Sequence, residues 1–180
     1  MRRRAGKSLL LCLALAVVLA AAGCGSEEEE TEAPEGEPIT LGELEYNVQI
    51  TRFLNPADPE DRAYLQDLPA PAKGEQYLGV FLTIENLSEV EQAIPSDFEL
   101  LDTREMSFPP TPSSSPFALE LGGTIPPEGR IPGPDSAAAT GPIRGSLILF
   151  LIDEAVGENR PLKLEIPSDG GAVGEIELDI

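Results

Sequence analysis

The sequence offers few residues that could carry out chemistry, because histidine is absent from all 180 positions. A Ser-His-Asp triad, a Cys-His pair and a histidine-ligated zinc site are therefore excluded. The sequence also contains neither the GxxxxGK[ST] loop that binds nucleotide phosphates nor the GxGxxG fingerprint of dinucleotide-binding proteins. Serines, lysines and an abundance of carboxylates are what remain.

Serine and lysine side chains could form the Ser-Lys pair of a hydrolase. The candidates are Ser113, Ser114 and Ser115 in TPSSSP, with Lys73 or Lys163 as the base. A serine run among prolines, without a helical pattern around it, favours a loop instead. Two carboxylates at a suitable separation could also perform acid–base hydrolysis. With 32 acidic residues such pairs are expected by chance, so we predict that the protein is not an enzyme and uses no cofactor.

Calcium binding is another use that the carboxylates could have. Asp97, Glu99 and Asp102 lie close together in the sequence. They lack the Asp-x-Asp-x-Asp-Gly spacing of a calcium loop, which makes them weak metal-site candidates and a calcium-binding surface protein an alternative function. Just before them, Asn86-Leu87-Ser88 fits the acceptor pattern for N-glycosylation. We interpret Asn86 and Ser88 as turn residues that end a strand.

A short basic head and an uncharged apolar run begin the chain. Arg2, Arg3, Arg4 and Lys7 precede residues 8–22, which carry no charge. This order is typical of an export signal. The apolar run is marginal for the roughly 20 residues that a membrane-spanning helix needs, so a permanent span is the second interpretation.

The motif AAGC at positions 21–24 resembles the lipobox, the cleavage signal of bacterial lipoproteins. The resemblance implies that a diacylglycerol joins the Cys24 thiol, that the signal peptide of residues 1–23 is removed, and that the new amino terminus carries lipid. An ordinary secretory signal cut nearby is the alternative. Cys12 would leave with the signal, so Cys24 would be the only cysteine of the mature chain. Lipidation gives that unpaired thiol a use and supplies stable anchoring.

Residues 24–38 are rich in glutamate, proline and glycine and contain almost nothing to bury. We predict that they form a disordered acidic tether, which holds a folded domain of residues 39–180 off the membrane. Weak cation binding by the glutamates is the alternative.

The strong negative charge limits the partners of the protein. Removal of the signal takes away four basic and no acidic residues, which changes the formal charge from −20 to −24. Such a chain lacks the basic footprint that nucleic acid binding needs. We expect the membrane as one partner, reached through the lipid on Cys24, and a basic or neutral envelope protein or wall polymer as another.

Alternating apolar residues predict β-strands across the domain. Two strand faces are expected to consist of Leu44, Tyr46, Val48 and Ile50, and of Leu78, Val80, Leu82 and Ile84. Tyr77 and Phe81 make the other face of the second strand apolar, which indicates a central strand. Residues 143–153, IRGSLILFLID, are predicted to form a buried central strand that places Phe150 deep in the core.

The end of the domain predicts a hairpin, because residues 161–167 and 174–180 alternate in the same way on either side of SDGGAV. Two proline-rich stretches, residues 55–75 and 109–141, are irregular, and the second is expected to be mobile with Phe117 on an edge strand at most. About seven or eight short strands with hardly any helix predict an antiparallel β-sandwich.

Five segments carry a resemblance to a known family: VFLTIENLS (80–88), FELLD (98–102), IPPEG (125–129), GSLILFLID (145–153) and PLKLEIP (161–167). They resemble the immunoglobulin-like domain of unknown function that is common in surface lipoproteins of Gram-positive bacteria. The sequence departs from that pattern at residues 127–129, where Pro-Glu-Gly replaces the usual Pro-Gly. The resemblance implies an immunoglobulin-like sandwich with no catalytic residues. It also implies a non-enzymatic binding or interaction module that is lipid-anchored on the outer side of the cell membrane.

Overall fold

The computed structural model describes residues 31–168 and 171–180, so the predicted signal peptide and Cys24 lie outside the described residues. Within these ranges the chain forms twelve strands and one short helix, α1 (Ala137–Thr140). The strands are β1 (Glu32–Pro34), β2 (Ile39–Leu41), β3 (Leu44–Leu54), β4 (Glu75–Asn86), β5 (Gln92–Ala93), β6 (Glu99–Leu101), β7 (Ser107–Phe108), β8 (Thr124–Ile125), β9 (Arg130–Ile131), β10 (Ser146–Asp153), β11 (Leu162–Pro167) and β12 (Val173–Leu178). No helix in the described ranges is long and apolar enough to span a membrane.

The strands form two main sheets, and the predicted β-sandwich is confirmed. The first sheet has the order β1-β12-β11-β6-β7 and the second has the order β10-β4-β3-β2, with β9 also paired to β4. A small third sheet joins β5 and β8. The predicted number of strands, seven or eight, was too small, because seven of the twelve strands have only two or three residues. Strands that short cannot show the alternation by which a strand is recognised in sequence.

The main core lies between the two large sheets, where alternate residues of each strand point inward. The predicted inner face of β4 is confirmed, since Leu78, Val80, Leu82 and Ile84 are fully buried. Phe150 on β10 is also fully buried in this core. The predicted terminal hairpin is confirmed as well, with β11 and β12 antiparallel and Leu164 opposite Ile176.

A second apolar cluster lies on the outer face of the second sheet, and we name it the outer cluster. Its members come from strands β3, β4 and β10 and from the stretch between β3 and β4: Leu54, Tyr64, Leu65, Tyr77, Phe81, Leu147 and Leu149. The ring of Tyr64 lies 5.1 Å from that of Phe81 and 4.7 Å from that of Phe117. A sheet that is apolar on both faces needs a cover on each, and the two proline-rich stretches provide the second cover.

Hydrogen bonds attach both proline-rich stretches to the sheet, so the second is packed where the sequence indicated a mobile segment. The buried carboxylate of Asp61 accepts from Arg52 of β3 at 2.5 Å and from the Asn55 amide at 2.8 Å. The Ser115 hydroxyl donates to Ala63 O at 2.8 Å and joins the two stretches to each other. The proline-rich composition hid this packing, because its few apolar residues have no period.

Strand β10 is buried but is not central, which corrects the prediction for residues 143–153. It pairs with β4 on one side only, and β4 is the central strand. The free edge of β10 is covered by the second proline-rich stretch, where the Thr111 and Leu119 amides donate to Leu149 O and Leu147 O at 2.6 and 2.8 Å. A covered edge strand is as apolar as a central one, so composition alone does not separate the two.

The pattern predicted for β3 fails at Ile50, which is 39% exposed. The register of β3 against β4 shifts between Val48 and Ile50. An extra residue at such a bulge reverses which side chains point inward. Thr51 is therefore buried where Ile50 was expected.

The predicted boundary between residues 38 and 39 is also corrected, because the end of the expected tether is folded. Strand β1 pairs in parallel with β12, and Ala33 between its acidic and proline neighbours is buried. The carboxylate of Glu35 accepts from the backbone amides of Thr51 at 3.0 Å and Asp179 at 3.2 Å. The segment gains its order from backbone pairing and this carboxylate, neither of which needs an apolar pattern.

Candidate functional site

The structure does not bring the three weak calcium candidates together. Asp97 is exposed, Glu99 lies on the outer face of the first sheet, and Asp102 is buried. Asp102 is engaged by its own turn: its carboxylate accepts from the Arg104 side chain at 2.8 Å and from the Met106 amide at 3.1 Å. Burial alone would raise the pKa of Asp102, but these hydrogen bonds outweigh burial and lower it. Among the described residues, no three His, Cys, Asp or Glu side chains are arranged to hold a metal ion.

The serines of TPSSSP do not meet either lysine. Ser114 bonds to Asp67 at 3.3 Å and Ser115 to the backbone of Ala63, so both serve the packing of the proline-rich stretches. Lys163 lies on the first sheet and donates to Glu175. The described residues therefore contain no Ser-Lys pair at these positions.

Asn86 acts as a structural centre at the end of β4, in agreement with its interpretation as a turn residue. Its side-chain amide donates to the carbonyls of Val90, Ile125 and Pro126 at 2.7, 3.2 and 2.9 Å. Its side-chain oxygen accepts from the Ser88 amide and hydroxyl at 2.9 and 2.8 Å. An amide that is buried and bonded in this way is not accessible to a glycosylating enzyme in the folded protein.

A row of glutamates crosses the outer face of the first sheet, a feature that the sequence analysis missed. Glu32, Glu175, Glu165 and Glu99 lie directly opposite one another on β1, β12, β11 and β6. Burial, followed by the charges of Glu175 and Glu99, raises the pKa of Glu165. The neighbouring Lys163 bonds to Glu175, and this hydrogen bond raises the pKa of the lysine. The row is held by backbone register, which cannot be read before the strand pairing is known.

A cleft of about 290 Å³ opens on the outer face of the second sheet, where β4, β9, α1 and the start of β10 meet. It is lined by Thr83, Arg130, Pro132, Pro134, Ala139, Arg144 and Gly145. The sequence analysis also missed this site. A signal was present, because the chain has only twelve basic residues, four of them in the predicted signal peptide, and of the remainder Arg130 lies within the second proline-rich stretch and Arg144 just after it.

Backbone pairing places the polar side chains of this cleft. Arg130 lies opposite Glu85 across β9 and β4, and their charged groups are 3.3 Å apart with both side chains largely exposed. Thr83 lies two residues before Glu85 on the same face of β4 and is only 8% exposed. Within the described residues its hydroxyl makes no hydrogen bond, and the Arg144 guanidinium has no partner.

Gly145 brings Arg144 to the cleft through a conformation that other residues rarely adopt. Its φ is +138°, and a Cβ at this position would lie 3.0 Å from Leu82 N and 3.1 Å from Phe81 C. Its amide donates to Ala138 O at 3.0 Å. This close approach fixes the backbone between α1 and β10 against the β4 strand. The backbone at Gly145 is therefore held against β4, and the cleft combines hydrogen-bond donors on Thr83, Arg130 and Arg144 with apolar proline and alanine side chains.

No known protein family matches the sequence, and no curated protein is similar to it. Several solved structures resemble the fold. The yjhA protein from Bacillus subtilis has a TM-score of 0.53 and 14% identity over 82% of this chain and 99% of its own. An uncharacterized β-sandwich protein from Clostridium difficile has a TM-score of 0.50 and 15% identity over 85% and 97%.

A candidate lipoprotein from Bacillus subtilis, ycdA, has a TM-score of 0.51 and 12% identity over 81% of this chain. The matched part is 38% of the ycdA chain, so the similarity concerns one part of a larger protein. At these identities the likeness shows the β-sandwich fold alone, and function has to be argued from the residues of this chain.

Proposed function

We propose that this chain is a lipid-anchored lipoprotein of the bacterial cell envelope whose immunoglobulin-like sandwich is a non-enzymatic binding module. The observation that carries the proposal is Cys24 in AAGC, directly after a basic head and an uncharged apolar run. The likeness of the fold to a candidate lipoprotein supports it. The acyl chains would hold the protein on the outer side of the membrane.

The first strand begins close to Cys24 in the sequence, and this limits the distance between the module and the membrane. Strand β1 begins at Glu32, so seven residues separate Cys24 from the first strand. At no more than about 3.6 Å per residue, the sandwich would stand within roughly 25–30 Å of its lipid anchor. This is a shorter reach than a tether of residues 24–38 would give, and it favours a ligand close to the membrane surface.

The arrangement of polar residues supports binding rather than catalysis. The sequence has no histidine. Ser114 and Ser115 bond to the other proline-rich stretch, and Lys163 on the first sheet bonds to Glu175. In the glutamate row, Glu32 is exposed, the other three side chains are half-buried, and Glu175 is bonded to Lys163. A weak calcium-binding role and a carboxylate-pair hydrolase remain the alternative functions.

Anchoring is tested by comparing Cys24→Ser with the matched variant Cys12→Ser. We expect Cys24→Ser to abolish lipid attachment and block lipoprotein-type cleavage, while Cys12→Ser leaves both unchanged. The measurement is radiolabelled palmitate incorporation together with the size of the protein on a gel. Undiminished labelling of Cys24→Ser would contradict the proposal.

Binding is tested with the soluble chain of residues 25–180, immobilised and exposed to envelope extract. We expect specific retention of an envelope component by the folded chain, and the Phe150→Ala variant, which we expect to be marginal or unfolded, serves as the control. Turnover of ester or glycoside substrates by the soluble chain, abolished by loss of two carboxylates with the fold intact, would instead favour the hydrolase. A calcium-dependent rise in melting temperature would favour the cation-binding alternative.

A further inference from the structure

We propose that the cleft between β4, β9, α1 and β10 binds a small organic anion. Its carboxylate or phosphate would lie against Arg130, Arg144 and Thr83, and its apolar part against Pro132 and Pro134. The proposal gives the proposed binding module a class of ligand. It rests on the proposed function only in taking this ligand as the one that the module binds.

The charges around the cleft favour an anion in spite of the acidity of the chain. The formal charge of the whole sequence is −20, yet two arginines line this one cleft. Arg144 has no partner among the described residues, and Arg130 makes a single contact of 3.3 Å with an exposed glutamate. Guanidinium groups match the planar oxygens of carboxylates and phosphates with paired hydrogen bonds.

Thr83 gives an independent indication that the cleft is built for a polar ligand. The residue is 92% buried, as its 8% exposure shows, and it lines the cleft. Its hydroxyl makes no hydrogen bond within the described residues. The hydroxyl is not among the polar atoms sealed from water, so it is accessible, and at a residue that lines the cleft it can donate a hydrogen bond to an oxyanion there.

The size and floor of the cleft restrict the ligand to a small molecule with an apolar portion. A volume of about 290 Å³ is at the low end for small-molecule sites. Pro132, Pro134 and Ala139 supply an apolar surface that a bare inorganic ion would leave uncovered. An anionic head on a compact apolar group uses both parts of the site.

The probes benzoate, phenyl phosphate and neutral benzamide test the proposal on the soluble chain of residues 25–180, which lacks Cys24. In nuclear magnetic resonance titrations we expect both anions to shift the amides of Thr83, Arg130 and Arg144 saturably, and benzamide to bind at least about tenfold more weakly. Whichever anion binds more tightly identifies the preferred head group. Affinity should fall with added salt, as for any exposed charge pair.

The variants are Arg144→Gln, with Arg62→Gln as the matched control, and Thr83→Val, which keeps the side-chain shape. Arg62 is exposed and does not line the cleft. We expect Arg144→Gln to weaken benzoate and phenyl phosphate binding at least about tenfold, Thr83→Val to weaken it measurably, and Arg62→Gln to leave it unchanged. Equal affinities of Arg144→Gln and Arg62→Gln, equal binding of benzamide and benzoate, or no saturable shift at the cleft would overturn the proposal.

These outcomes are separate from those of the anchoring test. If the titrations show no anion binding at the cleft, the expected palmitate labelling of Cys24 and the expected retention of an envelope component are unaffected. Failure of Cys24 labelling, in turn, leaves the titrations of the soluble chain unaffected.

Discussion

At the residue scale, the few basic side chains of this acidic protein have distinct roles. Arg52 and Arg104 pair with buried carboxylates and hold turns in place. Lys163 pairs with Glu175 and offsets part of the negative charge of the glutamate row. Arg144 takes part in no such pair within the described residues. Residue type alone did not predict these roles, because each depends on which strand lies alongside.

The glutamate row should make the protein more stable at mildly acidic pH. The raised pKa of Glu165 means that the folded protein binds this proton more tightly than the unfolded chain. Stability from this group is therefore fully present below the unfolded pKa of about 4.3 and is lost as the pH rises through the higher folded value. We expect Glu165→Gln to raise the free energy of unfolding at pH 7 by up to about 1 kcal/mol.

Urea unfolding at pH 7 and at pH 3.5 measures this effect, with Glu91→Gln as a control because Glu91 is exposed and outside the row. The gain from Glu165→Gln should shrink at pH 3.5. A gain of the same size at both pH values would contradict the electrostatic explanation.

Phe150 should contribute more to stability than Phe117. Phe150 is fully buried between the sheets, whereas Phe117 is half-buried at the margin of the outer cluster. Replacing a buried Phe by Ala costs about 3–5 kcal/mol, a large part of the total stability of about 5–15 kcal/mol of a typical domain. Urea melts should therefore find Phe150→Ala marginal or unfolded and Phe117→Ala folded, and a larger loss at Phe117 would contradict the assignment of the main core.

At the element scale, sequence patterns predicted the long strands and failed at the short or irregular ones. The inner face of β4 and the β11–β12 hairpin follow strict alternation, so hydrophobicity located them. The bulge in β3 broke that alternation and misplaced Ile50. Strand β1 was missed because Glu32–Pro34 has one small apolar residue, and its order comes from pairing with β12, which is distant in the sequence.

Strand β1 should be required for full stability of the sandwich. The segment closes the edge of β12, and its Glu35 carboxylate accepts from two backbone amides, of Thr51 and Asp179. We expect a chain starting at residue 39 to be less stable than one starting at residue 25 by about 2 kcal/mol or more. Chemical denaturation of the two chains measures the difference.

Glu35→Ala and Glu37→Ala form a matched pair for the same segment. Glu37 is exposed, and no side-chain bond is found for it in the described ranges. We expect Glu35→Ala to cost about 1–2 kcal/mol and Glu37→Ala less than about 0.5 kcal/mol. Equal effects would show that the Glu35 carboxylate does not stabilise the segment.

At the scale of the whole molecule, the sandwich fold followed from the sequence, but its third layer did not. Alternating strands and turn residues predict two packed sheets, whereas the proline-rich stretches gave no sign that they cover the outer face of the second sheet. That cover comes from scattered residues such as Tyr64, Leu65 and Phe117. The cleft could not be predicted from the sequence either. Its walls come from β4, β9 and the α1–β10 junction, which only the tertiary fold brings together.

We propose that a lipid on Cys24 holds this sandwich at the membrane. The most direct measurement is the mass of the amino-terminal peptide of the protein purified from the membranes of a bacterium that processes lipoproteins. We predict a peptide that begins at Cys24 and carries the added mass of a diacylglycerol on that residue. An amino terminus at any other residue, or an unmodified Cys24 in the mature protein, would contradict anchoring through this cysteine.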